Sequence, residues 1–241
     1  MMTFNRKLNE EAKSSFFSRE KPVFWLFFTL YLLLGLAFVF LGKFWADEGW
    51  YFGGSWLVAN GHLPYQDFFM RHNPLFFYIY AVPQYFFGPN IVVGRLTSLL
   101  LMMLTFVLVW RLSKKLGGKT AALISSGLLI TNLFVIYYFT TFSYRVLEAC
   151  VMLLFFTILF GELRAPIKYP LTTFLLCLIV GIRYPIDIVS GLLILYLVYI
   201  ACRSWQNKRV ILISLSVAVL SLAAIMLPFI MLAGDQFFFG T

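Results

Sequence analysis

The sequence predicts an all-α integral membrane protein of about seven transmembrane helices, with interfacial helices in its first outer loop. Three observations carry this. Of 241 residues, 61% are hydrophobic and 12% charged, with a mean hydropathy of +0.88, whereas soluble domains carry roughly 25% charged residues. Uncharged runs recur at the length of about twenty residues that a bilayer core requires. The basic residues behind the formal charge of +9 sit in short clusters between those runs. That is the pattern of positive-inside loops, not of a nucleic-acid patch.

Residues 1–21 form a mixed-charge tail, read as a solvated cytoplasmic extension, and residues 22–241 form the membrane module. Pro22–Leu41 is the first span, with Pro22 acceptable in its opening turn. The first outer loop covers 42–90. Within it, Asp47–Ala59 reads as an interfacial helix and Leu75–Phe87, short and broken by Pro83, as a second one. Ile91–Trp110 is the second span, with Arg95 near its outer end placed to snorkel. Gly117-Gly118 turns the chain into the third span, Ala121–Phe139. A polar link, Thr140–Glu148, precedes the fourth span at Ala149–Phe160, and Pro166 and Pro170 act as breakers. Pro170–Cys202 reads as two short helices, spans five and six, meeting at a polar elbow, Arg183-Tyr184-Pro185-Ile186-Asp187. Val210–Leu232 is the seventh span.

The amino-terminal tail is long and polar and the first apolar run is long enough to span, so no cleavable signal peptide is expected. Cys150, Cys177 and Cys202 lie in or beside apolar runs at no metal-binding spacing, as small packing residues do. With the amino terminus inside, the tail and the loops after spans two, four and six hold 14 of the 19 Lys and Arg residues. Lys43, Arg71, Arg95, Arg145 and Arg183 fall outside them. This bias orients the chain. It also places four polar segments on one outer face: the island Ala46–Pro74, the Arg145/Glu148 link, the Arg183 elbow and Asp235.

The island is the densest of these. Asp47 and Glu48 follow the first span, and adjacent helical residues point about 100° apart, so one of the two can face a reacting atom while the other contacts a neighbour. A carboxylate at a partly dry boundary suits a general base, although an acid pair in a first helical turn is also favourable without any function. His62 and His72 are ten apart with a proline between them, which is no recognised zinc spacing. Asp67 and Arg71, at i and i+4, are spaced to pair. Arg145 and Glu148, three apart, share a helix face and are spaced either to pair or to serve a site. Arg183, in its elbow, is placed to fork onto a phosphate, with Asp187 as the alternative partner.

An acidic pair after the first span is followed by G-x-x-P-Y-x-D-F (Gly61, Pro64, Tyr65, Asp67, Phe68), then Asn73-Pro74-Leu75 turning into an aromatic helix, then G-R-L (Gly94, Arg95, Leu96) opening the next span. This order resembles the amino-terminal membrane part of GT-C glycosyltransferases of the family 39 type. That group contains the protein O-mannosyltransferases and the aminoarabinose transferase of lipid A. Asn73 stands where family members often have a second proline, and the segment around Glu148 matches loosely.

The resemblance implies transfer of a sugar from a polyprenyl-phosphate carrier to a lipid, glycan or protein acceptor, outside the cytoplasm, by an enzyme of the plasma (inner) membrane. It implies Asp47 as catalytic base and Glu48 as its neighbour in substrate binding, so that Glu48→Gln is expected to act on apparent affinity more than on turnover. Arg183 would lie near the carrier phosphate, and Asp67, Arg71, His72, Arg145 and Glu148 complete the expected substrate contacts. No cofactor is required by this reading, and a divalent metal, Mg or Mn, bridging phosphate and carboxylates is compatible with it. Family enzymes are longer, so the chain is expected to be truncated at its carboxyl end and to transfer sugar poorly alone. Two other readings use the same residues. One is a transporter or flippase of a lipid-linked anion, with Arg183 binding and the broken 170–202 segment moving. The other is a non-catalytic membrane subunit.

Overall fold

A computed structural model describes residues 2–69, 73–182, 186–205 and 207–234; for residues 2–20, 46 and 186–190 it describes the backbone alone. These residues form helices and no strand. The tail and first span are one helix, α1 (Met2–Leu41), with Pro22 inside it. The tail has no glycine or proline before Pro22, and Arg6/Glu10 and Lys7/Glu11 recur at i, i+4 spacing, so local preference already favours helix there. Helices stand at both positions expected in the first outer loop: α2 (Ala46–Ala59) and α3 (Leu75–Phe87). Helix α3 buries Phe76, Phe77, Tyr80, Ala81 and Gln84, and leaves Val82, Tyr85, Phe86 and Phe87 exposed. That two-faced pattern suits a helix lying at the membrane surface.

Helix α4 (Ile91–Thr131) contains spans two and three as a hairpin. Its backbone leaves helical geometry at Gly117 and Gly118, and Gly118 takes a φ of 72° that a side chain would resist. Ser113 bonds Ser125 at 3.0 Å, whereas twelve residues of straight helix would hold them about 18 Å apart. The arms therefore fold back on one another. The third span is not continuous, however. Asn132 accepts the amide of Val135 at 3.1 Å and starts a new helix, α5 (Leu133–Thr140).

The expected polar link contracts to Thr141–Ser143, because α6 already begins at Tyr144 and runs to Leu159, bent 105° from α5. Arg145 and Glu148 are thus helical residues. Pro166 and Pro170 break nothing: both lie in the first two turns of α7 (Ala165–Ile182), where few intrahelical amide bonds are lost. The last described helices are α8 (Ile186–Arg203) and α9 (Lys208–Ala233), α7 packing against α6, α8 and α9. Arg183, Tyr184 and Pro185, the centre of the expected elbow, lie outside the described residues, as does Asp235.

Four described helices are long and apolar enough to cross a membrane, and the bent α5–α6 pair makes a fifth if it is one span. The α4 hairpin counts once among these and the shorter apolar helices are not among them, so seven spans are not shown. Two cores hold the helices together. One, with Tyr31, Met102, Phe106 and Ile136, joins α1, α4 and α5. The other, with Phe76, Tyr80, Phe142, Leu147 and Ile179, joins α3, α6 and α7 around the α5–α6 bend.

The ends of the bundle differ. Lys21 of α1 lies with Arg111 and Lys114 of α4 at one end, where Lys115 also approaches Glu162 at 3.9 Å. The far end of α1 meets the start of α4 and the α5–α6 bend at the other. The sequence expects the first end to be cytoplasmic. Cysteines replacing Asn60 or Asn90 should therefore react with a membrane-impermeant maleimide applied outside cells, and one replacing Lys115 should not. Labelling of the Lys115 position from outside intact cells would reverse the orientation.

Candidate functional site

Asp47 and Glu48, adjacent in sequence, part company in the structure. Trp45 stands in extended geometry at the N-cap of α2, and both acids fall in the first helical turn, where the helix dipole favours negative charge. Asp47 is exposed, whereas Glu48 is 0% exposed. Glu48 receives Arg95 as a fork, Nε to Oε1 at 2.7 Å and Nη2 to Oε2 at 2.7 Å, and Oε1 also accepts the Phe142 amide at 2.9 Å. Arg95 is 7% exposed, so it does not snorkel. It donates further to the carbonyls of Val39 (3.0 Å), Gly42 (3.2 Å) and Lys43 (3.3 Å). Those carbonyls lie at the end of α1, where helical acceptors have no intrahelical donor and a cation is favoured.

The G-R-L motif has a mechanical reason. A Cβ on Gly94 would stand 1.7 Å from the Phe142 ring, so the bend segment approaches α4 only because residue 94 lacks a side chain. A second polar tie reinforces the first: the Tyr80 and Ser98 hydroxyls lie 2.8 Å apart, and Ser98 donates to the Thr141 carbonyl at 2.8 Å. Tyr80 also reaches the Ser143 carbonyl at 3.3 Å. The α5–α6 bend is therefore fixed at Thr141, Phe142 and Ser143 by groups from α2, α3 and α4.

Arg145, just past the bend, does not pair with Glu148. Its guanidinium lies over Trp45 at 4.4 Å, Tyr138 at 4.6 Å and Tyr144 at 5.5 Å. Its Nη1 is buried and has no hydrogen-bond partner among the described residues. Stacking on Trp45 puts this cation beside the start of α2, two residues before Asp47. Glu148 is half-buried one turn further along α6.

The P-Y-x-D-F segment is a tight loop. Asp67 Oδ2 accepts the Leu63 amide at 2.7 Å and lies 3.7 Å from His62 Nδ1. Tyr65 takes a left-handed φ of 68°, is buried, and packs edge-on against Phe229 of α9. Burial pushes its phenol pKa up, so it stays protonated. Asn73 donates its side-chain amide to the Val180 carbonyl, fastening the loop's exit to α7. Arg71 and His72 lie outside the described residues. Starting two residues after Asp47, Gly49, Trp50, Gly53, Gly54 and Leu57 of α2 face Phe68, Phe69 and Phe77 across an open apolar groove of about 270 Å³. Asp47 and Trp50, three apart, share a helix face. Among the described residues no three His, Cys, Asp or Glu side chains converge to hold a metal ion.

A polar surface is thus held rigidly at one end of a multi-pass helical membrane protein, carrying an exposed acid, a stacked guanidinium and an apolar groove. Residues 71–231, more than half of the chain, match the family of dolichyl-phosphate-mannose-protein mannosyltransferases. The chain belongs to that family and is a membrane glycosyltransferase of the GT-C type. The match covers Arg95, Arg145 and Glu148 but begins after Asp47, Glu48 and Asp67. Neither a curated protein nor a solved structure matches the chain.

Sequence reasoning missed Arg95 as the partner of Glu48, because forty-seven residues separate them and neither position carries a local sign of the other. The pairing predicts opposite behaviour for the two acids. Glu48→Gln leaves Arg95 buried with its charge uncompensated and should cost about 3–5 kcal/mol. Asp47→Asn, at an exposed position, should stay within about 0.5 kcal/mol of the parent. Thermal or denaturant unfolding in a fixed detergent measures both.

Proposed function

We propose that this protein transfers a sugar from a polyprenyl-phosphate carrier to an acceptor hydroxyl or amine at the membrane's outer face, with Asp47 as general base. One observation carries the assignment of the base. Of the two adjacent acids, Glu48 has both oxygens engaged by Arg95, and Asp47 is exposed on a helix start that the same ion pair holds still. Family membership supports the reaction class. The aromatic groove that starts two residues after Asp47 suits the apolar chain of such a carrier.

In the proposed reaction the acceptor oxygen or nitrogen attacks the anomeric carbon while Asp47 takes its proton. The bond from that carbon to the phosphate oxygen breaks, its electron pair leaving with the polyprenyl phosphate, with inversion. Arg145, whose Nη1 has no hydrogen-bond partner among the described residues, is assigned to the growing negative charge, and Arg183 takes the same role by the sequence resemblance; such preorganised donors stabilise a leaving group where water is scarce. Glu48 acts through position, not through contact with substrate. Its removal is therefore expected to lower turnover by loosening the site, in place of the affinity effect inferred from sequence.

Asp47→Asn removes the proton acceptor at nearly constant size. Turnover with a defined lipid-linked donor should fall by ~10²–10⁴-fold, the usual effect of losing a general base, with the unfolding temperature unchanged. Near-normal turnover would remove Asp47 from the mechanism. Arg145→Gln should lower turnover with a phosphate-linked donor while leaving folding intact, which a binding assay and an unfolding curve together separate.

A further inference from the structure

The end of the bundle opposite Asp47 carries a second built feature. Lys21 at the start of the first apolar segment converges with Arg111 and Lys114 of α4 on one open groove of about 320 Å³. Its floor is aromatic: Phe24 meets Trp110 edge-on at 5.2 Å, and Trp25, 58% exposed, faces outward beside it. No carboxylate is among the described residues lining it. We propose that this groove binds the headgroup of an anionic phospholipid.

Depth, shape and charge support this occupant. Lys21 and Leu41 bound an apolar segment that, at about 1.5 Å per residue, is as long as a bilayer core is thick. The three cations therefore stand at headgroup level, with an exposed tryptophan where such rings settle at the interface. The volume equals about ten waters at roughly 30 Å³ each, room for a phosphate-bearing headgroup, whose acyl chains continue along the exposed face of α1 at Leu26, Leu30 and Leu33. A zwitterionic headgroup would bring its own cation against those of Lys21 and Arg111. A net negative one completes the groove, as basic pockets between transmembrane helices do.

Native mass spectrometry of the purified protein, released from nanodiscs of equal phosphatidylglycerol and phosphatidylcholine, tests the site. The parent should retain phosphatidylglycerol in preference, and Lys21→Gln/Arg111→Gln should reduce that retention about tenfold or more, since each interfacial cation contributes roughly fivefold. Arg203→Gln/Lys208→Gln, which removes the same charge from the α8–α9 link, should retain it, as should the charge-preserving Lys21→Arg/Arg111→Lys. Equal retention of both lipids by the parent would overturn the proposal. So would undiminished retention by the Lys21/Arg111 glutamine pair, or an equal loss in the α8–α9 pair, which would make the effect one of net charge alone.

Discussion

Arg95 spends its guanidinium on five acceptors drawn from three parts of the chain: both oxygens of Glu48, and the carbonyls of Val39, Gly42 and Lys43. An arginine buried without a partner for its charge is costly. It is tolerated here because a forked carboxylate and the unpaired end of α1 neutralise it together. The chain consequently has one place where α1 stops, α2 starts, α4 enters and the α5–α6 bend closes. Remove the ion pair and each of these ends keeps its local helix preference but loses its shared anchor.

The same anchor explains why two adjacent acids take different roles. Residues 47 and 48 point about 100° apart on a helix, so a turn that drives Glu48 inward to Arg95 leaves Asp47 at the surface, with the apolar groove starting two residues on. The bend that brings Phe142 to Glu48 also delivers Arg145 to Trp45. Gly94 permits that approach, and Tyr80 and Ser98 hold it. The reactive surface is thus assembled from segments far apart in sequence by a few buried polar contacts, and hydrophobic packing fills the space around them.

Some helix boundaries were legible in the sequence, because a glycine pair and the length of an apolar run act locally, whereas Pro166 and Pro170, read as breakers, lie inside or at the start of α7. Gly117-Gly118 turns α4, and α3 occupies the expected Leu75–Phe87. Asn132 was equally local in its effect and was passed over inside an apolar run, so the third span was drawn too long. The G-R-L and P-Y-x-D-F motifs could be placed in order, but not interpreted. Which acid is buried, which arginine pairs with it and which stacks on tryptophan depend on contacts between residues 47 to 100 positions apart, about which local spacing is silent. Arg145 and Glu148 show the limit well: their spacing suits an ion pair, and tertiary packing gave Arg145 to the aromatic rings instead.

A double-mutant cycle on Glu48 and Arg95 tests most directly whether this ion pair is the anchor. Unfolding free energies of Glu48→Gln, Arg95→Gln and the double substitution would be compared with the parent in one detergent. The pair as described predicts strong coupling: the double variant should lose about 2–3 kcal/mol less than the sum of the singles, because each single change strands a buried charge and the double change strands none. Additivity within about 0.5 kcal/mol would mean that the two side chains do not depend on one another, and would contradict the account.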